Sequence, residues 1–204
     1  VACELPGGVF AWRPCDGVKL VQVECGWRHT VARDASGRVW TFGGGASGNR
    51  HGQLGERCGV WAHDPAVPAP LAGWGATGGR RARKVAAGWS HTVVLSESGE
   101  IETFGRGDLG QCSPLPGKWD DVVAGSESVL ARRAAEVFAV GWNEHGNLGT
   151  GDRRDCHEPA LVKLSADVLV KPSAGNLRRG SPPLEAEPLL AAGGGHCAAS
   201  GFRV

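Results

Sequence analysis

Two stretches of the chain, VECGWRHTVARDASGRVWTFG (Val23 to Gly43) and VAAGWSHTVVLSESGEIETFG (Val85 to Gly105), superimpose without a gap. A repeat of this kind restricts the fold more than composition does, because one copy cannot bury its apolar face without neighbouring copies. The two share Gly26/Gly88, Trp27/Trp89, His29/His91, Thr30/Thr92, Ser36/Ser98, Gly37/Gly99, Thr41/Thr103 and Phe42/Phe104. A third copy, VVAGSESVLARRAAEVFAVG (Val122 to Gly141), keeps the glycine as Gly125 and has Ser128 in the histidine position. A fourth opens at AAGGGHCAAS, with Gly193 and His196 in register.

Each copy starts on small residues and a glycine, runs on as a β-rich segment such as HTVVLS, turns at Ser-Gly and continues as a second run such as EIETFG. That is the pattern of a β-hairpin. Ala86, Ala87 and Gly88 suit a strand crowded against its symmetry mates near an axis. The expected fold is therefore all-β, a β-propeller of about four recognisable blades forming a single domain over residues 1–204. Long loops are expected at about 44–52, 59–84 and 165–188. Val9 to Trp12 matches the strand after the turn and His196 to Val204 the strand before it. One blade is thus expected to be built from both ends of the chain, leaving no free sheet edge.

The chain has 204 residues, a net charge of +1 and 21% charged residues, so no global field draws it to nucleic acid or an anionic membrane. The 33 glycines and 8 tryptophans suit tight turns with a few aromatic anchors rather than a helical bundle. No apolar window reaches the roughly 20 residues of a membrane span, and the start VACELPGGVFAWRPC lacks signal-peptide features. A soluble chain without a membrane partner is expected, trimmed at its start because it contains no methionine. Seven dispersed cysteines with no Cys-x-x-Cys spacing favour reduced thiols over a disulfide frame or a zinc site.

The stretch TFGRGDLGQC (Thr103 to Cys112) carries both a Gly-x-Gly-x-x-Gly spacing and Arg-Gly-Asp. In the repeat it occupies the place of GNRHGQLG (Gly48 to Gly55) and GWNEHGNLG (Gly141 to Gly149), which makes it a blade-connecting turn. A dinucleotide loop must open a helix, and the following QCSPLPG with two prolines cannot.

The Gly-Trp-x-His-Thr openings and the Gly-Gln-Leu-Gly connection resemble the regulator of chromosome condensation repeat family. The run from Thr103 to Asp152 is most similar to that family's killer-toxin-insensitivity propellers of fungi, also known for alpha-tubulin suppression. Gly125, Ser126, Glu127, Gly141, Trp142, Glu144, His145, Gly146, Asn147 and Gly149 carry that likeness, while Ser128 and Leu148 depart from it. The resemblance implies a non-catalytic scaffold, cytoplasmic and also nuclear, acting as a monomer or heterodimer. Its implied partner is a small zinc-binding diphthamide-synthesis protein, with support of diphthamide formation and of Elongator-dependent wobble-uridine modification in tRNA. The alternative within the family is a chromatin-associated propeller or one that regulates a small GTPase by nucleotide exchange.

No catalytic residue, cofactor or metal set is expected. His29, His91 and His196 recur at one position, as structural residues do, and can bond backbone in the adjoining turn. Trp27 and Trp89 are read as inter-blade packing beside Gly26, Gly88, Gly125 and Gly193. GWNEHGNLG differs, since Trp142, Asn143, Glu144, His145 and Asn147 gather aromatic, amide, carboxylate and imidazole groups in one loop. They form the expected partner contact. A hydrolase use of Glu144 and His145 lacks a nucleophile in a recognised setting. The basic run GGRRARK (Gly78 to Lys84) is read as a solvated insertion, with phosphate contact through Arg80 to Lys84 as the other option.

Overall fold

The computed structural model describes residues 2–5, 9–12, 18–44, 49–58, 63–75, 79–163, 189–192 and 197–200. Among them every regular element is a strand. The first copy forms an antiparallel sheet of β3 (Leu20–Cys25), β4 (Thr30–Asp34), β5 (Val39–Phe42) and the short β6 (Ala69–Pro70). The second forms β7 (Ala82–Ala87), β8 (His91–Ser96) and β9 (Ile101–Gly105). The third forms β10 (Asp121–Ala124), β11 (Ser128–Arg133), β12 (Glu136–Gly141) and β13 (Cys156–Leu161). The fourth is present as the hairpin of β14 (Leu189–Ala192) with β15 (Cys197–Ser200).

The first two copies pair their strands in the same register. Cys25 faces Thr30 and Thr30 faces Phe42, as Ala87 faces Thr92 and Thr92 faces Phe104. The first strands of successive copies lie side by side, β3 against β7, β7 against β10 and β10 against β14. This rotation of like units about a common line is the propeller that the repeat predicts. Its core lies between blades. Val31, Val39, Leu71 and Trp74 of the first blade meet Ala82, Val85 and Val94 of the second. Val93, Leu95, Leu115 and Trp119 meet Val122, Val129 and Val140 of the third. Leu130, Val137 and Leu148 of the third meet Leu190 of the fourth. Most of these side chains are fully buried, so each sheet is held by the next.

Two parts of the fold differ from the sequence expectation. At the N-terminus β1 (Ala2–Leu5) pairs with β2 (Val9–Trp12), while β14 and β15 pair with each other, and no ladder joins the two hairpins among the described residues. Gly193 and His196 lie outside the described residues, although β14 takes the inner position beside β10. The stretch 59–84, read as one loop, contains β6 and the first residues of β7. Ala82 is fully buried there because strand alternation turns it into the inter-blade core while its charged neighbours point outward. The second blade has no fourth strand among the described residues. Pro114 and Pro116 lack the N–H that a ladder needs, and Leu115 between them packs into the core instead.

The glycine that opens each copy is fixed by a close approach. A β-carbon on Gly88 would lie 2.5 Å from the carbonyl oxygen of Gly125 and inside the His91 ring. One on Gly26 would lie 2.5 Å from the carbonyl of Gly88 and inside the His29 ring. Gly52 by contrast has φ of +78° and open space around it. Gly88→Ala is expected to cost on the order of 3 kcal/mol through overpacking, and Gly52→Ala only about 1 kcal/mol through its backbone angle. Urea denaturation of the two variants checks this order, and equal losses would contradict it.

Candidate protein-contact face

The inner strands β3, β7 and β10 each end one residue before the glycine, and the chain then turns by the same bond. Gly26 N–H donates to His29 O at 2.8 Å, Gly88 to His91 O at 2.9 Å and Gly125 to Ser128 O at 2.8 Å. The next residue reaches across to the neighbouring blade. Trp27 N–H donates to Trp89 O at 3.1 Å, and Trp89 N–H to Ser126 O at 2.7 Å. These bonds set Trp27, Trp89 and Ser126 in series around one end of the axis.

The tryptophans thus make an inter-blade contact at the surface rather than within a core. Their rings do touch across the blade boundary, edge to face at 5.4 Å, but Trp27 is 64% and Trp89 45% exposed. Ser126 at the same position in the third copy was the available sign, since a rim tolerates serine where a core would not. Trp142 stands beside Ser126 from the connecting loop, its N–H donating to Glu127 O at 2.9 Å and its ring meeting His145 edge to face at 5.0 Å. All three tryptophans line a cavity of about 890 Å³ floored by Gly26, Gly88 and Gly125.

The loop after β12 divides into a support and a surface. Asn143 is fully buried: its Nδ2 donates to Thr150 Oγ1 at 3.1 Å and to Arg154 O at 3.1 Å, and its Oδ1 accepts from Leu148 N–H at 2.9 Å. Asn147 Nδ2 donates to Trp142 O at 2.8 Å. Both asparagines thus hold the loop, and Glu144 and His145 are the exposed members beside the half-buried Trp142. Asn49 plays the part of Asn143 in the first blade, its Oδ1 accepting from Leu54 N–H at 2.8 Å.

The second connecting turn uses its Arg-Gly-Asp internally. Arg106 is bonded to Asp108 at 2.7 Å, and its Nη1 donates to Glu127 Oε1 at 2.9 Å. Gln111 Nε2 donates to Glu127 Oε2 at 2.6 Å, so this buried carboxylate has both oxygens satisfied. The basic run is solvent-exposed as read but is not an insertion, since from Ala82 it is part of a blade strand and its side chains are paired. Arg80 pairs with Glu102 and lies 4.4 Å over the Trp74 ring, Arg81 pairs with Glu97 at 3.1 Å, and Lys84 with Asp121 at 2.7 Å. Arg83 donates to Trp119 O and Asp120 O, at 2.8 and 2.6 Å. The last two residues tie the second blade to the third. The run belongs to the start of β7, where Arg80, Arg81 and Arg83 stay exposed to solvent while bonding carboxylates and carbonyls.

His29 is buried, and it bonds a side chain of the next blade rather than backbone in its own turn. Its Nε2 lies 2.8 Å from Thr92 Oγ1, and because that hydroxyl donates to Gln53 O at 2.8 Å, the imidazole nitrogen is the donor. In the third copy the position of Thr92 is taken by Val129, which has no hydroxyl, and neither ring nitrogen of His91 finds a partner in bonding geometry among the described residues. Burial lowers both histidines to about 4, with the backbone of His91 opposing this at His29; at His91 the charge of His29 adds to burial and the Ser128 backbone opposes it. Among the described residues no group of three or more His, Cys, Asp or Glu side chains could hold a metal.

Between about pH 4 and 6.5 the unfolded chain binds protons at these two positions that the folded chain refuses. Stability is therefore complete above pH 6.5 and falls on acidification, by up to about 1.4 kcal/mol per pH unit for each histidine. Urea midpoints at pH 7, 6 and 5 should decline, and less steeply in His91→Gln. A flat profile would contradict the neutral, buried state of both rings.

Comparison with known proteins places this arrangement. Models of the regulator of chromosome condensation (RCC1) repeat match residues 20–53, 82–111 and 135–176. The ultraviolet-B receptor UVR8 of Arabidopsis thaliana is 30% identical over 168 residues, covering 74% of this chain and 36% of that protein. Human RCC1 domain-containing protein 1 is 35% identical over 208 residues, covering 75% and 52%. The chain thus spans between about a third and a half of these relatives' length. The crystal structure of Prp20p from Saccharomyces cerevisiae aligns with a TM-score of 0.64 at 19% identity, covering 86% of this chain and 42% of that one, a likeness of fold. The matches over 20–53 and 82–111 take in the glycine, tryptophan and histidine positions of the first two blades, the match over 135–176 takes in the outer strands of the third, and the chain belongs to the regulator of chromosome condensation repeat family.

Proposed function

We propose that the chain is a non-catalytic protein-interaction scaffold whose contact face is the tryptophan rim at one end of the propeller axis. The observation that carries this is the exposure of Trp27 and Trp89 beside Trp142 on a rigid frame. Large aromatic side chains held in place lose little entropy on binding and are frequent anchors of protein interfaces. Within the face, Trp142 supplies apolar burial and Glu144 and His145 supply polar specificity.

The partner that the loop likeness favours is a small zinc-binding diphthamide-synthesis protein, with a role in diphthamide formation and Elongator-dependent tRNA modification in the cytoplasm and nucleus. Its support is the sequence likeness of the run from Thr103 to Asp152, carried by Gly125, Ser126, Glu127 and the loop 141–149. The second reading is a GTPase or chromatin partner, favoured by the fold shared with Prp20p, whose structure was described with its binding to Gsp1p and histones.

Calorimetric titration of the chain with the diphthamide-synthesis protein, and in parallel with a small GTPase and with histones, separates these partners. In the titration that shows binding, Trp142→Ala is expected to lose about 2 kcal/mol, roughly a thirtyfold drop in affinity. Its melting should stay close to that of the parent chain. Full affinity in the folded variant would remove this loop from the interface.

A further inference from the structure

We infer that the cleft beside the paired Trp27 and Trp89 docks an acidic segment of the partner protein, with an apolar side chain against the two indoles and carboxylates on Arg28 and Arg50. This rests on the scaffold reading and adds the chemistry of what is bound.

The cleft has a volume of about 260 Å³ and is lined by both tryptophans, Arg28, Arg50, His51 and Glu127 among others. Arg28 and Arg50 are exposed, and neither forms a salt bridge with a described residue. The third guanidinium of the cleft, Arg106, is already held by Asp108 and Glu127. Three guanidiniums thus stand against two carboxylates, and the two uncommitted ones flank the exposed indoles. A carboxylate brought there loses little solvation and gains charge-assisted bonds, bidentate with arginine.

The position after each rim residue changes in a graded way around the axis, as Arg28, Ser90 and Glu127 in successive blades. At this position the cationic residue stands in the first blade, beside its boundary with the second. On the axial side the rim carries Glu24, and next to Trp142 the exposed Glu144. A nucleic-acid strand crossing this face would bring its phosphates against Asp108, Glu24 and Glu144. A short acidic segment of protein needs only the Arg28 and Arg50 side, which is why protein is the occupant that the charges fit.

The test selects peptides from a phage-displayed random library on the purified full chain, then measures selected peptides against Arg28→Glu/Arg50→Glu. The expected peptides carry Asp or Glu on either side of an apolar or aromatic residue. Their affinity falls at least tenfold in the double variant and weakens with added salt, while its melting is unchanged. Selection of no peptide, of basic or uncharged ones, or of peptides that bind the double variant equally overturns the inference. So does an outcome in which only a single-stranded oligonucleotide binds in an Arg28- and Arg50-dependent way, or in which the chain binds only a second copy of itself. Because partner titration on Trp142 reads the scaffold independently, loss there without any effect of Arg28 and Arg50 leaves the scaffold standing and removes this cleft.

Discussion

The fold depends on one interlock that recurs at the two boundaries joining the first three blades. A glycine closes the inner strand, the histidine three residues on lays its ring over that glycine, and the next blade's glycine carbonyl lies where a side chain would otherwise stand. The space is filled from both sides, so neither the glycine nor the spacing to the histidine can change alone. Around this contact the backbone runs from blade to blade through Trp27 N–H to Trp89 O and Trp89 N–H to Ser126 O. Apolar burial between sheets supplies the bulk of the stabilisation, and the interlock sets how far one sheet is rotated from the next.

The interlock also accounts for the exposed indoles. With the glycine and histidine inside, the residue between them that follows the glycine must point outward at the end of the axis. The repeat thereby spends its buried positions on glycine, histidine and valine, and leaves the rim free to vary. Tryptophan stands there in two blades and serine in the third, where Trp142 approaches from the connecting loop. The neighbouring position runs from arginine through serine to glutamate at little cost to the framework. Buried Glu127 is accommodated because Arg106 and Gln111 bond both its oxygens.

The sequence made the blades legible because hairpin periodicity and turn residues recur in register, and it made the glycine–histidine pair legible because both letters recur. It also assigned Arg-Gly-Asp to a turn, where the arginine now bonds the aspartate. What it could not show was direction. A tryptophan next to a conserved-looking glycine reads equally as wedge or as rim until the strand's facing is known, and Ser126 was the only local hint. The basic run from Arg80 to Lys84 misled for a related reason, since its acidic partners Glu97, Glu102 and Asp121 lie 16 or more positions along the chain or on another blade. Asn143 was grouped with surface residues because an amide in a loop gives no sign of burial. Its part as the peg of the turn emerges from the shared bond with Asn49 in the first blade.

The central claim is that the framework and the contact face are separable, with Trp27 and Trp89 belonging to the face. The double variant Trp27→Ala/Trp89→Ala tests it when melting and binding of the partner that titrates the parent chain are measured on the same preparation. The account predicts a melting temperature within a few degrees of the parent chain together with loss of binding. A large fall in melting temperature with binding retained in the folded fraction would make these indoles part of the inter-blade core and contradict the account.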